Sequence, residues 1–146
     1  MAKVPYKPAG YHAVSPYLVV RDVPRLIDFL SQAFGAVEIE RSTLPDGTVN
    51  HAEVRIDDSI VMMGAARGEW APTQTTLYIY LPDTDEAYRS ALRAGATSIR
   101  EPANQFYGDR SGGVRDPQGN QWWIATHVED VPPEELRRRA AAQKAP

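Results

Sequence analysis

The chain has 146 residues, 42% of them hydrophobic and 24% charged, with a formal net charge of −3. That balance is an ordinary globular one and excludes fibrous and disordered classes, while the lack of a basic stripe argues against nucleic acid, whose phosphates need clustered Lys and Arg. There is no cysteine, which removes disulfides, thiolate zinc sites and a cysteine nucleophile and suits a reducing cytoplasm; no apolar run is long enough for a membrane span.

An arm over residues 1–14 comes first, with Lys3, Pro5, Lys7 and Pro8 but no apolar segment of the signal-peptide kind. Tyr17–Val20 reads as a buried strand entered through Ser15-Pro16. Asp22 then caps a helix, with Pro24 in its first turn and an apolar stripe of Val23, Leu26, Ile27, Leu30 and Phe34. Gly35 ends it. A strand over 37–41 leads through the Pro45-Asp46-Gly47 turn into the alternating strand Val49–Ile56, and Asp57-Asp58 turns the chain into a strand over 59–63. Residues 65–75 carry little periodicity and read as a linker.

The pattern then starts again. A strand over 76–81 precedes Asp83 and Glu86, which form a capping box for a helix with Ala87, Tyr88, Ala91 and Leu92 on its buried side. A short strand over 98–100, a long loop over 101–112, a strand over 113–115, the Asp116-Pro117-Gln118-Gly119 turn and a strand Gln121–His127 follow. Pro132-Pro133 opens a polar helix within a C-terminal segment over 131–146, acidic at its start and basic at its end, as the helix dipole favours. Val20-Arg21-Asp22 through Phe34-Gly35-Ala36 corresponds to Leu81-Pro82-Asp83 through Ala94-Gly95-Ala96. The chain therefore reads as two similar modules, 15–64 and 76–130, each a strand, a helix and three strands.

Several segments resemble the PhnB-like branch of the vicinal oxygen chelate superfamily, which includes glyoxalase I, bleomycin-resistance proteins, fosfomycin-resistance enzymes and extradiol dioxygenases. They are Ser15-Pro16-Tyr17-Leu18-Val19-Val20, Ala33-Phe34-Gly35-Ala36, Pro45-Asp46-Gly47, His51-Ala52-Glu53-Val54-Arg55-Ile56, Tyr107-Gly108-Asp109-Arg110 and the run from Gly113 through Asp116-Pro117-Gln118-Gly119-Asn120 to Trp123. The resemblance implies an α+β fold in which two βαβββ modules form a curled mixed sheet, with a short C-terminal helix added. It also implies a homodimer and a small-molecule ligand held in a concave cup; charge and apolar-run length leave neither nucleic acid nor membrane as an expected partner. Alternation along the strands then places Leu18, Val20, Val54, Ile56, Leu77, Ile79, Trp122 and Ile124 under the helices. Ser15, Tyr17, Val19, Arg55, Val61 and Met63 face the cup from the first module, and Thr76, Tyr78, Tyr80, Trp123 and Ala125 from the second.

Metal-using relatives place His, Glu or Gln on the first and last strands of each module, positions that fall here on Ser15, Val61, Thr76 and Trp123. Two hydroxyls and two apolar side chains are a poor ligand set for a divalent cation, so neither metal nor cofactor is expected. His51 and Glu53 share the cup side with Arg55 and are the candidate acid–base pair. Asp109 and Arg110 form a candidate clamp for a polar ligand edge. Tyr17, Tyr78, Tyr80 and Trp123, with Trp70, Phe106 and Tyr107 at the rim, suit a planar or cationic ligand. Two functions stay open: metal-independent sequestration of a small aromatic or amphipathic molecule such as an antibiotic or metabolite, or a lyase or isomerase using His51 and Glu53 as acid–base groups or as non-standard metal ligands.

Overall fold

Asp22 and Asp83 begin the two principal helices in the same way, each carboxylate accepting from the backbone N–H three residues on, Arg25 and Glu86, at 3.1 Å. A computed structural model describes residues 3–143, so the ends of the expected arm and tail lie outside the described residues. The elements run β1 (Tyr17–Val20), α1 (Val23–Phe34), β2 (Val37–Thr43), β3 (Val49–Ile56), β4 (Ser59–Ala65), β5 (Thr76–Tyr80), α2 (Thr84–Arg93), β6 (Thr97–Asn104), β7 (Asp109–Arg115), β8 (Gln121–His127) and α3 (Pro133–Ala141). Gly35, at φ 69°, closes α1 in the left-handed conformation that a side chain would resist. The expected capping box at Asp83 is only half formed, because the Glu86 side chain turns away to Arg89, Ser90 and Arg93.

The repeat seen in the sequence is a repeat of topology. The strands make two four-stranded mixed sheets, ordered β1-β4-β3-β2 and β5-β8-β7-β6. In each, the first strand runs parallel to the last and the other pairs are antiparallel. The fold is thus α+β, with one sheet per module. Both sheets turn an apolar face to the helices, and Leu18, Val20 and Val54 join Trp122, Ile124 and Val114 in one continuous core. Phe34, at the end of α1, meets Trp122 with ring centroids 5.4 Å apart. The backbone N–H of Asp22 donates to Gln118 Oε1 at 3.2 Å, joining the modules again at the polar end of α1.

One expectation about the strands is corrected here. The segment expected to be a long loop over 101–112 is mostly strand, since β6 reaches Asn104 and β7 starts at Asp109. Pro102 hides this in the sequence, but β6 is a sheet edge whose pairing shifts between Arg100 and Ala103, where proline costs no ladder bond. The C-terminal helix buries no residue, yet it is fastened: Arg139 grips Glu129 at 2.8 and 2.9 Å and donates to the Phe106 carbonyl at 3.1 Å. No helix among the described residues is long and apolar enough to cross a membrane.

Candidate site on the outer sheet faces

The helices pack on the inner faces of the sheets, so the other side chains of each strand stand on the outer faces. On the first sheet, β1 contributes Tyr17 and Val19, and β3 contributes His51, Glu53 and Arg55. His51 Nε2 lies 2.8 Å from Glu53 Oε2, and Tyr17 Oη lies 3.2 Å from His51 Nδ1. A carboxylate only accepts, so neutral His51 carries its proton on Nε2 and Nδ1 accepts from Tyr17. The second Glu53 oxygen accepts from the hydroxyl of Tyr11 in the N-terminal arm. Burial pushes the Glu53 pKa up, but the hydrogen bonds from His51 and Tyr11 hold it below the ordinary carboxylate range. The same bond to Glu53 pushes the Tyr11 hydroxyl up to about 12. Glu53 is only 7% exposed, an ionised group whose desolvation is offset by these two donors. Arg55 is exposed on the same side, and Ser15 is half-buried just before β1.

On the second sheet, Tyr78 and Tyr80 of β5 both donate to Asp109 Oδ2 at 2.8 Å. His127 Nδ1 meets the other Asp109 oxygen at 2.9 Å, and its Nε2 meets Asp130 at 2.6 Å. Asp109 is 4% exposed; burial pushes its pKa up, and the bonds from His127, Tyr78 and Tyr80 bring it below the ordinary range. The bonds to Asp109 and Asp130 raise His127. Burial, with the hydrogen bond to Asp109, raises Tyr78. Trp123 lies against the backbone of Gly113, where a Cβ would come within 2.7 Å of the indole, and the Arg100 guanidinium covers the ring at 4.8 Å. Thr76 is exposed at the start of β5. Phe106 and Tyr107 pack edge to face in the β6–β7 loop that α3 fastens.

Three expected site residues point elsewhere. Val61 and Met63 are buried at 4% and 0% and join the helix-side core. Val61 is paired with Val54, and Met63 with Ala52 and Leu18. Residues directly opposite in a ladder share a face, so Ile60, Met62 and Gly64 take the outer face instead. Val61 lines a cleft of about 500 Å³ between the modules, with Ile56, Leu77, Ile79 and Trp122. Arg110 turns toward α2, where it holds Asp85 bidentately at 2.8 and 2.9 Å. Asp109 and Arg110 are neighbours on one strand and therefore point to opposite faces, so they form no common clamp. Tyr11, Arg100 and Met62 join the outer faces without a local signal in the sequence. His127 was legible only as the end of the last strand.

The donor positions do not fit the superfamily's usual metal. Ser15 and Thr76 offer neutral hydroxyls, Trp123 an indole, and the outer face of β4 offers Ile60, Met62 and Gly64. Among the described residues no three His, Asp or Glu side chains gather as a metal would require.

A family model described as the Glyoxalase/Bleomycin resistance protein/Dioxygenase superfamily matches residues 11–124. The chain belongs to this superfamily. Uncharacterized proteins of Mycobacterium bovis and Mycobacterium tuberculosis are 35% identical to this superfamily member over 142 residues, spanning 90% of its chain and 93% and 84% of theirs. The crystal structure of TioX from Micromonospora sp. ML1 is 25% identical, with a TM-score of 0.69 over 78% of this chain and 97% of that one. A glyoxalase/bleomycin resistance protein/dioxygenase family enzyme from Burkholderia phytofirmans PsJN, 21% identical over the same shares of the two chains, has the same fold at a TM-score of 0.64.

Proposed function

We propose that this superfamily member captures a small aromatic or amphipathic molecule in a concave cup without a metal, as a cytoplasmic homodimer of the PhnB-like branch. One observation carries the reading. Tyr17, Tyr78 and Tyr80 stand 47%, 45% and 58% exposed on strands whose other faces pack against the core. Each hydroxyl is held by a hydrogen-bond partner, His51 or Asp109, and each ring has an aromatic neighbour, His51 for Tyr17 and one another for Tyr78 and Tyr80. Flat apolar faces held in place by a polar edge are suited to stacking on a planar ligand. The homodimer is part of the proposal because β1 and β5 are sheet edges. Open edges are ready templates for a second copy, which would close the outer face of one module against the other.

The second reading, a lyase or isomerase, draws on the 2.8 Å His51–Glu53 contact. Against it, both Glu53 oxygens already accept hydrogen bonds and the lowered pKa makes the carboxylate a weak base. The deciding experiment has three parts: metal analysis after dialysis against a chelator, titration with planar ligands in the chelator's presence, and sedimentation equilibrium. Capture predicts a blank metal analysis, quenching of tryptophan fluorescence on titration, and a dimer. Stoichiometric metal surviving dialysis, or binding that disappears with the chelator, overturns it.

A further inference from the structure

Arg100 belongs to neither the acid–base pair nor the tyrosine set, yet its place on the outer face is built by several separate features. On β6, Ser98 pairs with Val114 and Arg100 with Gly113, so Ile99 is the extra residue of a β-bulge. Ser98 meets the Tyr88 hydroxyl of α2, and by plain alternation Arg100 would face the same way. The bulge turns it to the outer face instead, and bulges concentrate beside binding sites. There the missing side chain of Gly113 lets Trp123 lie against the backbone, and the Arg100 guanidinium covers that ring at 4.8 Å. Its Nη2 donates at 3.1 Å to the hydroxyl of Ser111, which is fully buried.

Arginines elsewhere are committed to carboxylates of the chain, Arg110 to Asp85 and Arg139 to Glu129. Arg100 is exposed and, among the described residues, meets no carboxylate. A guanidinium carries five N–H donors in one plane. Stacking on Trp123 uses a face of that plane and Ser111 takes one donor, so most of the fork is left for a ligand. Holding a long side chain in one place costs rotamer entropy, and here the ring and one hydroxyl hold it ahead of any anion.

The class of anion follows from the neighbours. Arg100, Gly113, Trp123 and Tyr78 stand on one rung that crosses β6, β7, β8 and β5, so Tyr78 is the next aromatic side chain beyond Trp123. Asp109 shares this face two residues from Ser111 and is kept ionised, its burial outweighed by its hydrogen bonds. Its field disfavours a dianion such as a phosphate monoester, and a carboxylate matches both the single charge and the planar fork.

We propose that Arg100 is the anion-recognition residue of the second module's outer face, taking the carboxylate of an aromatic acid whose ring extends along the rung toward Tyr78. This rests on the capture reading and adds to it the charge and class of the ligand.

The test uses the full-length protein and two probes of nearly equal shape, 2-naphthoate and 2-naphthamide, of which only the first is charged. Titrations followed by NMR at the Trp123 indole N–H should show naphthoate binding about tenfold more tightly, as a charge-assisted fork predicts. Arg100→Gln should bring the two affinities to within about twofold of each other, while Arg25→Gln, an exposed arginine on α1, should leave the preference intact. Raising the salt from about 50 to about 500 mM should narrow the preference in the unaltered protein, because an exposed ion pair is screened. The salt series needs no variant, so it stands even where Arg100→Gln fails to fold. Equal binding of the two probes to the unaltered protein overturns the Arg100 seat and leaves the aromatic capture reading standing. A preference that survives Arg100→Gln, that Arg25→Gln removes, or that salt leaves untouched overturns the seat as well. Tighter binding of 2-naphthyl phosphate than of naphthoate overturns the assignment to a carboxylate. Binding of neither naphthyl probe at millimolar concentration overturns the seat, while the planar-ligand titration above judges the capture reading separately.

Discussion

Removing the Asp109 carboxylate tests whether the second module's aromatic face is held by polar bonds. Asp109→Ala deletes the acceptor of three hydrogen bonds, from Tyr78, Tyr80 and His127, at 2.8, 2.8 and 2.9 Å. A hydrogen bond to a charged group contributes about 1.5–3 kcal/mol. Here Tyr78, Tyr80 and the His127 ring are half exposed and regain water once the carboxylate is gone. Their half of each bond is recovered, which brings the loss to about 1 kcal/mol per bond and about 3 kcal/mol in all. For a chain of this length that corresponds to a drop in Tm of roughly 6–12 °C. Asp109→Asn keeps one oxygen for the tyrosines and gives up the charge, so it should cost roughly half as much. Urea denaturation followed by circular dichroism measures both, with the unfolding slope checked for constancy. A cost below about 1 kcal/mol for the alanine variant, or equal costs for the two, refutes the reasoning that charge-assisted bonds orient these rings.

Asp116→Ala should be among the more damaging single changes, at roughly 2–4 kcal/mol, because it strands the buried Trp122 indole N–H now bonded at 2.8 Å and releases the turn bonded through Gln118 and Asn120; a thermal melt measures it. Gly113→Ala drives a methyl to 2.7 Å from Trp123 and should displace the ring and its Arg100 partner, at about 1–3 kcal/mol, with a changed near-ultraviolet dichroism signal as the readout. An unaltered signal would show that the ring does not rest on this backbone. His127 is raised above its ordinary 6.5 by Asp109 and Asp130, so its charged form contributes stability that is complete below that value and lost as the pH climbs through the raised one. Denaturation midpoints should therefore fall across that window in the native protein, and a His127→Gln variant should flatten the decline.

Much of the fold is legible in local pattern. The stripe from Val23 to Phe34 and the punctuation by Asp22 and Gly35 specify α1, and the return of the same pattern at Asp83 reveals the second module. The inner-face strand residues Leu18, Val20, Val54, Trp122 and Ile124 follow from alternation and lie in the core. The site is less legible, and the reason differs by residue. Val61 and Met63 fell on the wrong face because their orientation depends on the β3–β4 register, and only the pairing with Val54 and Ala52 reveals it. Asp109 and Arg110 were joined as a clamp because Pro102 and the nearby glycines disguise β6 and β7 as loop. Tyr11 reaches Glu53 across 42 residues.

The sequence by itself determined what repeats within a few residues: the helix stripe, the strand alternation, the caps and, through their recurrence, the two-module plan. These are short-range consequences of side-chain direction and backbone capping, written into neighbouring residues. Only the tertiary structure decided which outward residues meet. Register, bulges and the path of the N-terminal arm bring together Tyr11 with Glu53 and Tyr78 with Asp109. A shift of one residue in pairing reverses every side chain on a strand, so the faces of these sheets are a property of long-range pairing rather than of local composition.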